Sequence, residues 1–448
     1  MITLARISLL ATLLAALGTP GAARAADDHA PVVLDNGLRV VLLPMAEARS
    51  VALVTLYDIG EWDDPVGQSG LSHLTEHMIA TASAGEEWPA RSAQAWMQAY
   101  PPPLGTNAQT GEDYTVVATV FRPVALRDEI AEAAARMSTI AVTEADMERE
   151  LPRLAGELDN MYGGMVGLGT MNTIRATVRR MADGQRKGGV MDHLHTLAAT
   201  DVQRHFDRYY KPRHAMLVLA GKFEREDALA LIRTHFAPIP AGEPLPPRPE
   251  RAPSLLGVTL NAEMTSAFPG AAPPYAVTLG FSAPSPDSPH YPAFLVMAAD
   301  LFQSSIRAGS HRSGMSPPVV FAPLDDPGLI VFNGAGADVG EANAALQEIR
   351  ERIRAAVPAK GEMVNTFAAT RMFGPMLGLM EMPDSQAAQN PYFIAFSEGR
   401  RRQVGLDPLA LKDALARLTP ADLEACYNAV LSPARGSAVI VRTVAAEE

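Results

Sequence analysis

Short apolar runs bounded by polar turns open the chain. Gly37-Leu38-Arg39-Val40-Val41-Leu42-Leu43 and Val51-Ala52-Leu53-Val54-Thr55-Leu56 predict two strands separated by a polar turn. Helical patterning then predominates until Tyr114–Val120, which reads as a further strand, and Ala276–Phe281 opens a second half in the same way. The ends of the two halves also match. Asp201-Val202 is followed eleven residues after the Asp by Pro212 and then by apolar Ala215–Leu219, and Asp422-Leu423 is followed at the same distance by Pro433 and then by Ala438–Val441. Helix, turn proline and apolar strand recurring in one order predict a duplicated unit. Few tight βαβ repeats are evident, so the expected class is α+β with two homologous layered domains.

A proline-rich stretch from Pro240 to Pro253 divides the chain almost equally and reads as an extended connector. The expected divisions are therefore residues 26–239, 240–254 and 255–448, with residues 1–25 set apart. In that leading segment Arg6 supplies a positive start, Ile7–Leu17 an apolar run and Ala23-Arg24-Ala25 a small-x-small cleavage site, the pattern of a signal peptide. Export is expected, to the periplasm of a bacterium or beyond it, and no later run of about 18 apolar residues predicts a membrane span.

Composition narrows the class further. At 448 residues and 48% apolar content the chain exceeds one hydrophobic core and has material for two. The net charge of −12 is spread among interspersed acids and bases, which excludes a nucleic-acid footprint. Cys426 is the lone cysteine, so no intrachain disulfide forms; in a helical stretch without a neighbouring histidine it is expected to be a small buried residue rather than a nucleophile.

The chemistry is concentrated in Ser72-His73-Leu74-Thr75-Glu76-His77-Met78. On a helix, histidines at i and i+4 project from one face toward one point and can share a zinc ion. Glu76, three residues after His73, lies on the same side, placed to act as general base on a metal-bound water. A catalytic zinc site needs a third protein ligand and an open position. Glu150 and Glu157 stand seven residues apart, two helical turns, so on a continuous helix both face one way; one can bind metal while the other supports it.

His-x-x-Glu-His followed 80 residues after His77 by Glu157 resembles the pitrilysin and mitochondrial processing peptidase family, the inverzincins. The resemblance implies Glu157 as the third metal ligand and Glu150 as the acid that supports the site. It extends to Asp35-Asn36-Gly37-Leu38, to Gly70-Leu71-Ser72-His73 and to Gly105–Thr115, which is similar to the family's Asn-Ala-x-Thr segment. By that likeness Asn107 holds substrate main chain; the alternative is a turn residue. Two departures stand out. Pro152 falls between the paired glutamates, where it bends the helix or displaces Glu150. In the second half Ser310–Pro317 has serine and proline in the places where single-subunit relatives carry an arginine and a tyrosine, with Arg307 and Arg312 as the nearby arginines.

The expected protein is thus a zinc peptidase subunit with one Zn2+, hydrolysing unfolded peptides in a clam-like dimer. A homologous partner lacking His-x-x-Glu-His would supply the arginine and tyrosine. A self-sufficient homodimer and a non-catalytic scaffold subunit are the alternatives.

Overall fold

In the computed structural model, residues 30–101, 103–162, 191–247, 256–266, 273–307, 323–324, 328–380 and 390–445 are described. The first half builds a six-stranded sheet from β1 (Val32–Val33), β2 (Arg39–Pro44), β3 (Val51–Tyr57), β4 (Gly105–Thr110), β5 (Thr115–Phe121) and β6 (Ala215–Gly221), in the order β1-β2-β6-β3-β5-β4. The predicted strands at 37–43, 51–56 and 114–120 appear as β2, β3 and β5. β4 was not foreseen: Gly, Thr, Asn and Gln dominate it, and only its pairing with β5 from Gly105↔Val120 to Thr110↔Thr115 makes it a strand.

One face of this sheet is covered by α1 (Leu71–Thr81), α2 (Ala93–Met97), α3 (Leu126–Ser138), α4 (Glu144–Tyr162), α5 (Ala199–Tyr209) and α6 (Arg225–Phe236). Alternate strand residues such as Leu53 and Tyr57 point into this layer and pack with Leu74, Met78, Ile130 and Phe206. In the second half β7 (Thr259–Ser266), β8 (Tyr275–Ser282), β9 (Leu329–Gly336) and β10 (Gly436–Ala445) form a sheet ordered β7-β10-β8-β9.

The duplication is visible in strand direction as well as order. β6 lies between β2, to which it is parallel, and β3, to which it is antiparallel, and β3 continues antiparallel to β5. β10 likewise lies between parallel β7 and antiparallel β8, which continues antiparallel to β9. The shared pattern is an α+β layered unit used twice, once extended by β1 and β4. The second is covered by α7 (Tyr291–Arg307), α8 (Val339–Ala355) and α9 (Phe367–Leu377), with α10 (Pro391–Gln403), α11 (Pro408–Ala416) and α12 (Pro420–Cys426) following. Cys426 is fully buried on α12, and burial pushes its thiol up to about 12.

The midpoint of the sequence is not a boundary of packing. Helix α10, from the second half, lies on the outer face of the first sheet, where buried Ala395 with Tyr392, Ile394 and Phe396 covers Val54, Leu56, Val116 and Val218. Gly399 permits the close approach: a Cβ there would lie 2.2 Å from Leu56 Cδ1. Residues 1–25, most of the proline-rich stretch beyond Leu245 and Ser310–Pro317 with Arg312 lie outside the described residues.

Candidate metal centre

All eleven residues of α1 are buried, so both ends of the helix need partners within the protein. At its N-terminus the Asp64 carboxylate accepts from Gly70 N at 2.7 Å and Ser72 N at 2.8 Å. Burial pushes the Asp64 carboxyl up to about 7 despite these hydrogen bonds. Gly70, at φ 99°, takes the left-handed turn that starts the helix. At the other end Arg91 Nε donates to Ala80 O at 2.9 Å, and Arg136 Nη1 to Ile79 O and Ala82 O at 3.0 and 2.9 Å. The two arginines are tied together by Glu132, at 2.8 and 2.7 Å.

This fixed helix presents His73 and His77 with their rings edge to face, centroids 4.9 Å apart. Helix α4 crosses it and brings Glu157 Oε2 to 3.5 Å from His73 Nε2 and 3.6 Å from His77 Nε2. Ligand atoms of these three residues all lie within 4.8 Å of one another. Zinc bonds of about 2.0–2.1 Å in a tetrahedron set donors roughly 3.3 Å apart, close to the 3.5 and 3.6 Å from Glu157 to the two histidines.

Behind the ligands the two helices are cross-linked. Glu150, 1% exposed, places Oε2 at 3.4 Å from His77 Nδ1, which sets the ring with Nε2 toward Glu157. Arg153 Nε donates to Glu150 at 2.8 Å and its Nη1 to Glu157 Oε1 at 2.7 Å, leaving Glu157 Oε2 for the histidine side. Burial pushes both carboxyls up, but the close approach of His77 and the hydrogen bond from Arg153 outweigh it at Glu150, which falls to about 2. The close approach of His73 and His77 holds Glu157 well below the usual carboxylate range. Both acids stay anionic at neutral pH, the state a metal ligand and its support require.

Pro152 does not displace Glu150, contrary to one of the two outcomes expected for it. Helix α4 runs through the proline from Glu144 to Tyr162. Pro152 and Glu148, the residue whose carbonyl the proline leaves unpaired, are both exposed, so water can satisfy what the ring removes. Glu76 is buried at 7% exposure and accepts from Thr110 Oγ1 at 2.8 Å, which aims one carboxylate oxygen from β4.

For Asn107 the structure removes the turn alternative. The residue sits within β4 rather than in a turn, and its side chain donates to Tyr392 Oη at 2.9 Å on the face away from Thr110. Residues three apart in a strand point to opposite faces, so Asn107 cannot join Thr110 beside Glu76. The sequence reading also missed Asp64, Thr110, Arg136 and Arg153. Only Arg153 carried a local signal, since it stands three residues after one glutamate and four before the other.

Comparison with known proteins agrees with this geometry. Residues 196–317 match the model of the peptidase M16 inactive domain, a stretch that begins past Glu157. The chain is 24% identical over 256 residues to the probable zinc protease PqqL of Escherichia coli K12, covering 54% of this chain and 27% of that protein. It is 25% identical over 217 residues to the zinc protease PqqE of Helicobacter pylori, covering 46% of each. The matches thus span about a quarter to a half of the length of these relatives. Among solved structures, a protease from Helicobacter pylori superposes with TM-score 0.69 at 17% identity, covering 92% of this chain and 98% of that one. Pitrilysin superposes with TM-score 0.62 at 15% identity, covering 92% and 44%. Structural likeness at this identity shows the fold, and the sequence matches add to it a resemblance to the pitrilysin-like peptidase M16 family.

Proposed function

We propose that this chain is an exported zinc metallopeptidase subunit that hydrolyses peptide bonds in unfolded polypeptides. The observation that carries the reading is the convergence of His73, His77 and Glu157 beside Glu76, with His77 set by Glu150, Glu157 by Arg153 and Glu76 by Thr110. Zinc held there lowers the pKa of a bound water to about 7 and polarises a peptide carbonyl.

The chain's own residues do the rest. Glu76 accepts the water's proton as the carbonyl carbon is attacked and passes it to the leaving amine. Thr110 keeps the Glu76 carboxylate in place during both transfers, its hydroxyl donating to one of the two oxygens. β4 is the edge of its sheet, so an extended peptide can add to it as a further strand and lie across the Glu76–Thr110 contact. Export to the periplasm agrees with the leading segment, and a solved relative is described as the periplasmic protease PqqL. Among the described residues no helix is long and apolar enough to cross a membrane.

The departure at Ser310–Pro317 favours a second element of the reading: a homologous subunit provides the arginine and tyrosine. An oxyanion donor missing from a site costs about 10²- to 10³-fold in rate, so the isolated chain is expected to be slow and the pair fast. The test is hydrolysis of an unstructured oligopeptide by the zinc-loaded mature chain, alone and with a candidate partner, against Glu76→Gln. Cleavage lost in Glu76→Gln supports the peptidase. A zinc-loaded chain inactive in both settings supports the scaffold alternative.

A further inference from the structure

A cavity of about 80 Å³ lies between the first sheet and helices α1, α2 and α3, with Ala80, Trp96, Tyr100, Thr106, Glu129 and Glu132 in its wall. One water needs roughly 10–15 Å³ by this measure, so the space holds several waters or one long unbranched side chain in their place. Its position relates it to the metal centre. Ala80 stands four residues after Glu76 on α1, one turn along the same face. Thr106 stands four residues before Thr110 on the same face of β4, roughly 13 Å along the strand. A peptide added to the edge of β4 therefore passes the Glu76–Thr110 contact and the cavity in turn.

The charges in the cavity are unevenly satisfied. Arg91 and Arg136 are both paired with Glu132 and both donate to the C-terminal carbonyls of α1. Glu129 is only 9% exposed, yet among the described residues it has no ion-pair partner; its carboxylate accepts a hydrogen bond from Tyr100 Oη alone. Burial pushes its carboxyl up to about 7 against that hydrogen bond, with Glu132 adding to the rise and Arg91, beyond ion-pair distance, opposing it. The aromatic rings of Trp96 and Tyr100 in the same wall suit the body of a cationic guest.

We propose that this cavity is a specificity pocket for a lysine or arginine side chain of the peptide substrate, with Glu129 as the counter-charge. The proposal rests on the peptidase reading above and adds to it the class of residue selected within four positions of the scissile bond. The guest's aliphatic stem fills the apolar part of the cavity between the sheet and Ala80, and its charged head meets the carboxylate that the protein leaves without an ion pair.

Binding separates this proposal from the peptidase reading. The zinc-loaded full chain carrying Glu76→Gln is titrated into fluorescein-labelled unstructured peptides that differ at one position, stepped through four residues on either side of the expected bond, where Lys, Arg, Met or Glu is placed. At one position Lys and Arg should bind about tenfold more tightly than Met, with Glu weaker still. Adding Glu129→Gln should abolish that preference, and Ala80→Met, which narrows the cavity without touching the acid, should reduce it independently. A preference for Met, no preference at any position, or a basic preference that survives Glu129→Gln overturns the pocket. Cleavage of the Met peptide by the wild-type chain, alone and with the candidate partner subunit, is read in parallel: cleavage without basic preference overturns the pocket and keeps the peptidase, whereas absence of binding, and of cleavage in both settings, overturns both.

Discussion

Arg153 shows how much of a candidate metal site is decided by residues outside the candidate ligand set. One guanidinium donates to Glu150 and to Glu157, so it sets both the ligand and the acid behind His77. Replacing it by Met keeps the side-chain bulk and removes both hydrogen bonds. Zinc affinity should then fall about 10- to 100-fold, the usual effect of losing a residue that orients a ligand. Competition with a chromophoric chelator at pH 7.5 measures this directly, and unchanged affinity would mean that Glu157 is placed by its helix alone. The juxtaposition of His73, His77 and Glu157 was legible in the sequence because i, i+4 and i, i+7 spacings on helices translate into one face. Thr110 and Asp64 were not, because each reaches α1 from another segment by a contact that only the fold creates.

A second residue-scale consequence concerns His205, which lies behind α1 with Nε2 at 3.3 Å from Ser72 Oγ and between the rings of Tyr209 and Tyr210. Burial lowers its pKa to about 4, so the folded protein keeps it neutral where the unfolded chain protonates it near 6.5. The unfolded state therefore binds more protons between about pH 4 and 6.5, and the contribution of His205 to stability rises with pH across that window. The neighbouring Asp64, pushed up to about 7, acts in the opposite direction, with the folded state binding more protons between its ordinary range and about 7. The stability of the wild type alone thus conceals the effect. The difference between wild type and His205→Gln isolates it: the advantage of the wild type should grow by up to about 3 kcal/mol from pH 4 to 6.5 in urea denaturation, and a constant difference would show that His205 is protonated in the fold.

At the scale of elements, α1 is a helix that could not stand on propensity. It is short, buried on every side and carries two β-branched threonines whose hydroxyls turn back onto Leu71 O and His77 O, both at 2.7 Å. Its ends are held instead by Asp64, Arg91 and Arg136. Arg136→Met would orphan Ile79 O and Ala82 O and leave Glu132 with one cation, at an expected cost of about 2–4 kcal/mol. Chemical denaturation checks the size, and a loss below about 1 kcal/mol would mean that water replaces the guanidinium. Strands were legible wherever apolar alternation was strong, as in β2, β3 and β5. β4 was not, because its residues are chosen for edge pairing and for the placement of Thr106 and Thr110 rather than for burial. Its burial pattern is mostly partial or exposed, so it leaves no hydrophobic period to read.

At the scale of the molecule, the duplication was legible from two matching sequence ends, but the crossing of α10 onto the first sheet was not, since no local pattern tells which sheet a helix will cover. That crossing has an electrostatic anchor. Arg400, 1% exposed, donates to Asp113 Oδ2 at 2.8 Å and to Leu324 O at 2.6 Å, while its guanidinium lies 3.9 Å above the Tyr114 ring. Asp113 belongs to the turn between β4 and β5, the turn that also carries Thr110 at its start; Glu61 N and Trp62 N donate to Gly111 O and Glu112 O on its other side. The second half of the chain thus grips the segment that aims Glu76. Arg400→Met leaves the buried Asp113 carboxylate without its cation and should cost about 3–5 kcal/mol, whereas Asp113→Asn in the same background should restore part of it, because a neutral amide is cheaper to bury alone. A double-mutant cycle in urea denaturation would then return a coupling of about 1–3 kcal/mol between residues 287 positions apart. Additive losses would show that α10 is held by its apolar face alone, with the ion pair a passenger on the packing of Ala395 and Phe396.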